Sequence, residues 1–156
     1  MTIKSLCKTD VVTLDRKSTL SSVSDVMQKK HVGCVVVVEP LNEKRIPAGI
    51  ITDRDIALAL QSSTRPQDLR VEHIMQSMPV TINVNAGIFE TVRKMRDEGI
   101  KRLPVINEDG SLYGIVCADD LLTLMSEEIY NLSKINERQL NNEKGIRLPS
   151  EKAIQM

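Results

Sequence analysis

The 156-residue sequence has few aromatic residues and no excess of either charge. Aromatic residues form 2% of the chain and tryptophan is absent, so a surface for stacking nucleic-acid bases is not expected. Lys+Arg and Asp+Glu both number 21, which leaves no basic footprint for nucleic acid. No apolar run has the length that a membrane-spanning helix needs. We therefore expect neither nucleic acid nor a membrane among the partners of this chain.

Cysteine and histidine are also scarce, which argues against a metal site or a disulfide framework. The chain has three cysteines, Cys7, Cys34 and Cys117, which is an odd number, and no two of them form a C-x-x-C pair. Cys34 starts an apolar run and Cys117 ends one, so both are expected to be small buried residues in a reducing compartment. His31 and His73 stand apart from any cysteine motif and are expected at the surface. Without a leader-like apolar start, the sequence predicts a cytoplasmic protein.

The chain repeats itself. Residues 3–14 align with residues 71–82, with apolar residues at matching positions and an offset of 68. The offset falls to 65 at the matching residues Gly49 and Gly114, because the first predicted hairpin loop, PLNEKRIP, is longer than the second, EDGSL. The Asp-Gly pair in the second loop is a strong hairpin signal. Repetition at a near-constant offset predicts two copies of one structural unit.

Each copy is predicted to contain an extended segment, a helix, a two-stranded hairpin and a second helix. The extended segments are Val11–Leu14 and Val80–Val84, and the first helices begin near the N-cap types Ser18 and Asn85. Cys34–Val38 is a continuous apolar run, which is typical of a strand buried on both faces. The second helices are predicted over residues 53–60 and from residue 119 onward.

This order predicts a mixed α+β or α/β fold of two βαββα repeats, packed with pseudo-twofold symmetry around two equivalent clefts. One unit of about sixty residues is marginal alone, and two can bury their apolar faces against each other. The expected domains are residues 1–64 and 65–127, joined through the polar segment SSTRPQD. Residues 128–156 are expected to be a C-terminal helical extension with a tail that is poorly ordered from Glu143 onward.

One motif occurs in both repeats. GIITDRDI, at residues 49–56, has the order Gly-apolar-apolar-Thr-x-x-Asp-apolar, and GIVCADDL repeats it at residues 114–121, preceded by IKRLPVI. With a helix and hairpin before each copy, the pattern resembles the CBS (cystathionine-β-synthase) domain, and the tandem resembles a Bateman module. The resemblance covers about residues 3–127. It implies a regulatory module that binds AMP, ADP, ATP or S-adenosylmethionine between the repeats and carries out no chemistry.

The resemblance assigns the ribose-binding carboxylates to Asp55 and Asp120 and the hydroxyl position to Thr52. Cys117 replaces that hydroxyl in the second repeat, which departs from the family pattern. A carboxylate has only acceptors, so one aspartate can receive both donors of a ribose diol. A helix N-terminus nearby favours phosphate. The alternative is that Thr52 and Asp55 only cap a helix.

In Bateman modules each cleft also draws on the opening segment of the other repeat. Lys101 and Arg102 lie where some family members place phosphate-binding residues, although they are alternatively solvated charges. Their counterparts, Gly33 and Cys34, carry no charge, so two unequal sites are expected, with Arg54 as the candidate cation of the first. The first site is expected to combine Thr52, Arg54, Asp55, Val71, Ile74 and Val80. The second is expected to combine Ile3, Ser5, Thr13, Cys117, Asp119 and Asp120, with Asp119 alternatively a first-turn helix acid.

Past the second repeat, Met125, Ile129, Leu132 and Ile135 form an apolar stripe at helical spacing. The stripe either folds back on its own core or forms a dimer contact, and the resemblance favours a homodimer. The leading hypothesis is thus a stand-alone regulatory module that senses an adenosyl ligand and signals to an unknown partner. The alternative is a ligand-free dimeric scaffold. No nucleophile–base pair, metal cluster or Gly-rich phosphate loop is evident, so an enzyme is not expected.

Overall fold

The computed structural model describes residues 1–146. The chain divides into two compact units, Met1–Ala118 and Asp119–Met156. The strands are β1 (Thr13–Leu14), β2 (Cys34–Leu41), β3 (Lys44–Thr52), β4 (Gln76–Ser77), β5 (Ile82–Asn83), β6 (Arg102–Ile106) and β7 (Leu112–Cys117). The α-helices are α1 (Leu20–Lys30), α2 (Asp53–Ser62), α3 (Val71–Ile74), α4 (Ile88–Glu98) and α5 (Ala118–Ile146). Short 3-10 helices lie at Ile3–Ser5 and Pro66–Asp68.

The first unit holds two small mixed sheets with the same construction. One has the order β1-β2-β3-β4 and the other the order β5-β6-β7. In each, the short first strand runs parallel to the next, which pairs antiparallel with the third. Val35, Val36 and Val37 in β2 are fully buried, as the apolar run predicted. The mixed fold of two repeats with a C-terminal helix is therefore confirmed.

The first hairpin is tighter than predicted. PLNEKRIP is not a loop, because β2 continues to Leu41 and β3 begins at Lys44. Asn42 and Glu43 form the turn with φ of 50° and 65°, the left-handed conformation that a two-residue hairpin turn requires at both positions. In the second hairpin the Asp-Gly turn forms as predicted, with Gly110 at φ 81°.

Both first helices begin one or two residues later than predicted. The N-cap of α1 is Thr19, whose hydroxyl accepts a hydrogen bond from the Ser22 N–H at 3.2 Å. Ser18 is excluded from this role because its backbone lies in the preceding turn, with its N–H donating to Asp15 O. The N-cap of α4 is Gly87.

Asn85 does not cap α4 because its groups are used in the turn before the helix. Its N–H donates to Asn83 Oδ1 at 2.8 Å, and its side-chain amide donates to Glu108 Oε1 at 3.4 Å. An asparagine that bonds to a residue two positions away closes a local turn, which competes with helix capping.

The opening segment of each repeat packs against the other repeat. Val71 N–H donates to Ser18 O at 2.9 Å, and Ile3 N–H donates to Ala86 O at 2.8 Å. Val71 lies 68 residues after Ile3, and Ala86 lies 68 residues after Ser18, so the two hydrogen bonds are equivalent under the repeat. Val71 and Met75, although they belong to the second repeat, lie in the core cluster of the first. Each repeat therefore contributes its opening segment to the other repeat. This reciprocal packing is the predicted pseudo-twofold arrangement.

Up to residue 146, the second unit consists of the long helix α5. It includes Glu143 and Gly145, which belong to the tail predicted to be poorly ordered. Residues 147–156 of that tail lie outside the described residues, so its poor order stays a prediction. A single glycine such as Gly145 lowers the stability of a helix by only about 1 kcal/mol, so it does not have to end α5. The Gln139 side chain also donates a hydrogen bond of 3.3 Å to the Glu143 carboxylate in the last turns of the helix. Every residue from Ser126 to Gly145 is exposed. Among residues 1–146 we find no helix with the length and apolarity needed to traverse a bilayer.

Candidate functional site

Thr52 and Asp55 form a reciprocal capping pair at the junction of β3 and α2. Asp55 Oδ2 accepts hydrogen bonds from the Thr52 N–H and the Thr52 hydroxyl, each at 2.8 Å. The Asp55 N–H donates to Thr52 Oγ1 at 3.3 Å. This is a capping box, so the structural interpretation of the pair holds. In the described part of the chain Asp55 Oδ1 receives no hydrogen bond, which leaves an acceptor for a ligand hydroxyl.

Asp55 lies at the edge of an open groove between α2, the following linker and α3. The groove has a volume of about 1010 Å³ and also contains Ile74 and His73. His73 is held in place because its Nδ1 accepts the Arg70 N–H at 3.0 Å. The groove thus brings together Asp55 and Ile74, two residues predicted for the first site.

A smaller cavity, here called the first cleft, lies where β3 of the first repeat and the opening segment of the second, which pair as β3 and β4, meet the start of β6. Its volume is about 110 Å³. The lining residues include Ile50, Met78, Pro79, Val80, Ile100 and Arg102. Val80 is therefore in this cleft, whereas Asp55 and Ile74 lie on the groove, so residues predicted for one site border two cavities.

The second cleft occupies the symmetry-related position and has a volume of about 220 Å³. Its lining residues include Lys8, Asp10, Val12, Cys34, Arg102 and Cys117. Ile115 here corresponds to Ile50 of the first cleft, and Val12 corresponds to Val80, at the two offsets of the repeat. Each cleft is thus built from a hairpin strand of one repeat and the opening segment of the other.

The two clefts differ in charge at their equivalent positions. Arg102 starts β6 and lines both clefts, whereas its counterpart Cys34 starts β2 and lines only the second. Burial raises the pKa of the Cys34 thiol to about 12, against the opposite effect of the nearby Arg102 charge. Cys34 is therefore a neutral thiol near pH 7, and the positive charge at this level comes from the second repeat alone.

Several residues predicted for the sites lie in the core or form hydrogen bonds within the chain. Ile3 and Val71 are fully buried in the core. The Ser5 hydroxyl donates to Thr2 O at 2.9 Å, and the Thr13 hydroxyl accepts from Arg45 at 3.4 Å. These four side chains do not line the three cavities above.

Arg54 and Lys101, the predicted cations besides Arg102, are both exposed and line none of these three cavities. Asp119 and Asp120 occupy the first turn of α5 and open the second unit. Asp119 is exposed and Asp120 is half-buried. That Asp119 and Asp120 form one binding site with Cys117 stays a prediction.

Sequence reasoning missed Lys8, Asp10 and Met78, which line the clefts. The signal was available, because residues 8–12 align with residues 76–80 at the repeat offset. Val80 was predicted to belong to the first site, but its counterpart Val12 was not included in the predicted second site. Applying the offset in both directions would have found the second-cleft segment.

The family model for the CBS domain matches residues 3–62 and 71–127 of this chain. The chain therefore belongs to the CBS domain family and contains two copies of the domain, which confirms the resemblance. Among curated relatives, protein MK0525 of Methanopyrus kandleri is 32% identical over 138 residues, or 88% of this chain and 67% of that protein.

Solved structures of CBS domain pairs have the same fold. The CBS domain pair of protein MJ0100, in complex with 5′-methylthioadenosine and S-adenosyl-L-methionine, superimposes with a TM-score of 0.72 at 21% identity, covering 82% of this chain and 98% of that one. The cytosolic domain of the Mg²⁺ channel MgtE, in complex with ATP, has a TM-score of 0.64 at 25% identity and covers 76% of this chain and 46% of that one.

Proposed function

We propose that this chain is a regulatory CBS pair that binds an adenosyl ligand, namely AMP, ADP, ATP or S-adenosylmethionine, between its repeats. The observation that carries the proposal is the pair of equivalently placed clefts, each formed by a strand of one repeat and the opening segment of the other. The ATP complex of the MgtE cytosolic domain, a relative in fold at 25% identity, supports an adenine nucleotide.

In the proposed first site, the adenine lies among Ile50, Val80 and Ile100, and the ribose extends toward Asp55. The cleft volumes of about 110 and 220 Å³ are smaller than the roughly 300 Å³ at which small-molecule pockets begin. A complete nucleotide must therefore extend out of the cleft, and Asp55 lies in the first turn of α2, which directly follows the strand that contains Ile50. Asp55 Oδ1 is the acceptor for the ribose hydroxyls, and the guanidinium of Arg102 is the donor for phosphate.

A second candidate function is a ligand-free interaction scaffold. The small clefts favour it, as does Cys117, whose thiol is a weaker donor than the Thr52 hydroxyl at the equivalent position. The two functions differ in one observable, because a scaffold gains no stability from any adenosyl compound.

Further parts of the proposal concern assembly. We propose a homodimer in which the exposed stripe of α5 pairs with a second copy, since helices in proteins gain most of their stability from packing of an apolar face. The module would pass its ligand state to a partner protein of unknown identity and would catalyse no reaction. A cytoplasmic location stays a prediction.

The proposal is tested by thermal unfolding with AMP, ADP, ATP and S-adenosylmethionine, followed by calorimetric titration. A ligand that binds only the folded chain adds about 2.7 kcal/mol to the free energy of unfolding at a hundredfold excess over its Kd. Asp55→Asn should weaken binding at least tenfold, and Asp97→Asn on the exposed surface of α4 is the matched control. No shift with any of the four compounds would reject the sensor function and favour the scaffold.

A further inference from the structure

One cation, Arg102, borders both clefts. It is half-buried at the start of β6, and it is the only charged residue among those found to line the first cleft. The second cleft contains Arg102 together with Lys8 and Asp10. Within residues 1–146 the Arg102 guanidinium has no ion pair or side-chain hydrogen bond, so its donors are not committed to a protein acceptor.

The repeat symmetry would place a second cation at Cys34, and none is present there. If the repeats were identical, one cation would be present at each of the two equivalent positions. In this chain both clefts depend on the single guanidinium of Arg102. Lys101 and Arg54 are exposed and line neither cleft, so they do not supply the missing charge.

We propose that Arg102 is shared by the two clefts, so that an anionic adenosyl ligand bound in one cleft weakens the binding of a second in the other. The inference rests on the proposed function and adds a rule for how the two sites interact. The planar guanidinium makes its strongest contact by donating two parallel hydrogen bonds to one phosphate. A second phosphate would then meet a cation that is already neutralised and a nearby charge of its own sign.

The other charged residues at the clefts do not remove this dependence. Lys8 and Asp10, which are opposite in charge, line the second cleft beside Arg102. In the first cleft Arg102 is the only charged residue found in the lining. A phosphate in either cleft therefore depends on the Arg102 guanidinium.

The test compares an anionic with a neutral ligand by calorimetric titration. For the native chain we expect AMP to bind in two steps at least tenfold apart in Kd, within the 5- to 150-fold range of typical coupling between sites. Adenosine has no phosphate and should fill the two clefts with Kd values within about threefold of each other. Arg102→Gln should weaken AMP binding and bring its two Kd values to the ratio seen with adenosine.

Arg102→Lys is the matched control, because it keeps a charge and should retain part of the difference between the two steps. Val80→Phe, which narrows the first cleft, and Val12→Phe, which narrows the second, should each leave a single AMP step. Equal step ratios for AMP and adenosine in the native chain would overturn the proposal, as would an unchanged ratio in a folded Arg102→Gln variant. Failure of both ligands to bind would instead overturn the proposed function itself.

Discussion

Gly114 lies against the backbone of Lys8, so that a Cβ on Gly114 would stand 2.7 Å from the Lys8 carbonyl oxygen. This is the crossing at which the opening segment of the first repeat meets the hairpin of the second, with Lys8 and Ile115 exchanging two hydrogen bonds of 2.9 Å. The equivalent Gly49 faces the Met75 side chain at the other crossing. The glycine that begins each copy of the motif is thus required by close approach of the exchanged segment.

The two glycines should differ in their tolerance of alanine. Gly114→Ala should lower the free energy of unfolding by about 2 kcal/mol, because a backbone carbonyl cannot move without breaking the Lys8–Ile115 pairing. Gly49→Ala should cost about 1 kcal/mol, because the nearest obstacle is a flexible methionine side chain. Urea denaturation of both variants measures the difference. Equal costs would contradict this account of the crossing.

Thr52 and Asp55 should act as one unit in folding. Thr52→Val and Asp55→Ala should each lower the free energy of unfolding by about 1 kcal/mol through loss of the cap. The double variant should cost clearly less than the sum, since either change alone breaks the same hydrogen bonds. Thr52→Ser keeps the hydroxyl and is the control. Additive costs, measured by urea denaturation, would show that the two residues stabilise the chain independently.

The repeat and its exchanged segments explain how far the sequence alone could lead. Fold class followed from the duplicated spacing, because apolar residues at matched positions must be buried in matched environments. The hairpin of the first repeat was predicted, but not its two-residue turn at Asn42 and Glu43. Strand residues such as Pro40 and Lys44 are polar or turn-forming, and pairing overrode their local preference.

The clefts were only partly predictable. Ile3 and Val71 have the same apolar character as the cleft residues Val12 and Val80, and only the packing shows that the first pair is in the core. Arg102 was identified from the family pattern as a cation of one site. Its position beside both clefts depends on how the two opening segments pack near the start of β6. The spacing of residues along the chain does not predict that packing.

The Cys34 thiol should be unreactive in the folded chain. With a pKa raised from 9.0 to about 12 by burial, its thiolate fraction at pH 8 is about a thousandfold below that of the unfolded chain. Alkylation by iodoacetamide, followed residue by residue with mass spectrometry, should therefore be correspondingly slow at Cys34 and fast after denaturation. The raised pKa also means that stability is lost as the pH rises above about 9. Rapid alkylation of Cys34 in the folded chain would contradict the burial of this thiol.

The apolar stripe of α5 should control assembly. Replacing the exposed Ile129 and Leu132 by glutamate should shift the chain from dimer to monomer and reduce its helix content, because the exposed helix loses its partner. Lys134→Glu, on the opposite face of the same turns, should leave the assembly unchanged. Sedimentation equilibrium measures the mass and circular dichroism measures the helicity. A native chain that is monomeric at every concentration would reject the dimer.

The ion pair between Lys44 and Asp109, at 2.7 Å, joins the turns of the two hairpins and should make the link between the repeats sensitive to acid. Lys44 and the Ser111 hydroxyl and N–H hold the pKa of Asp109 well below its ordinary value of 3.8. A lowered pKa means that the stabilisation is complete above the ordinary value and is lost as the pH falls through the folded-state value. Asp109→Asn should therefore make the loss of stability below about pH 4 less steep, and Asp97→Asn should not. Both side chains are nearly half exposed, so high salt should reduce the difference, and a native chain whose acid unfolding matches that of Asp109→Asn would show that the pair contributes nothing.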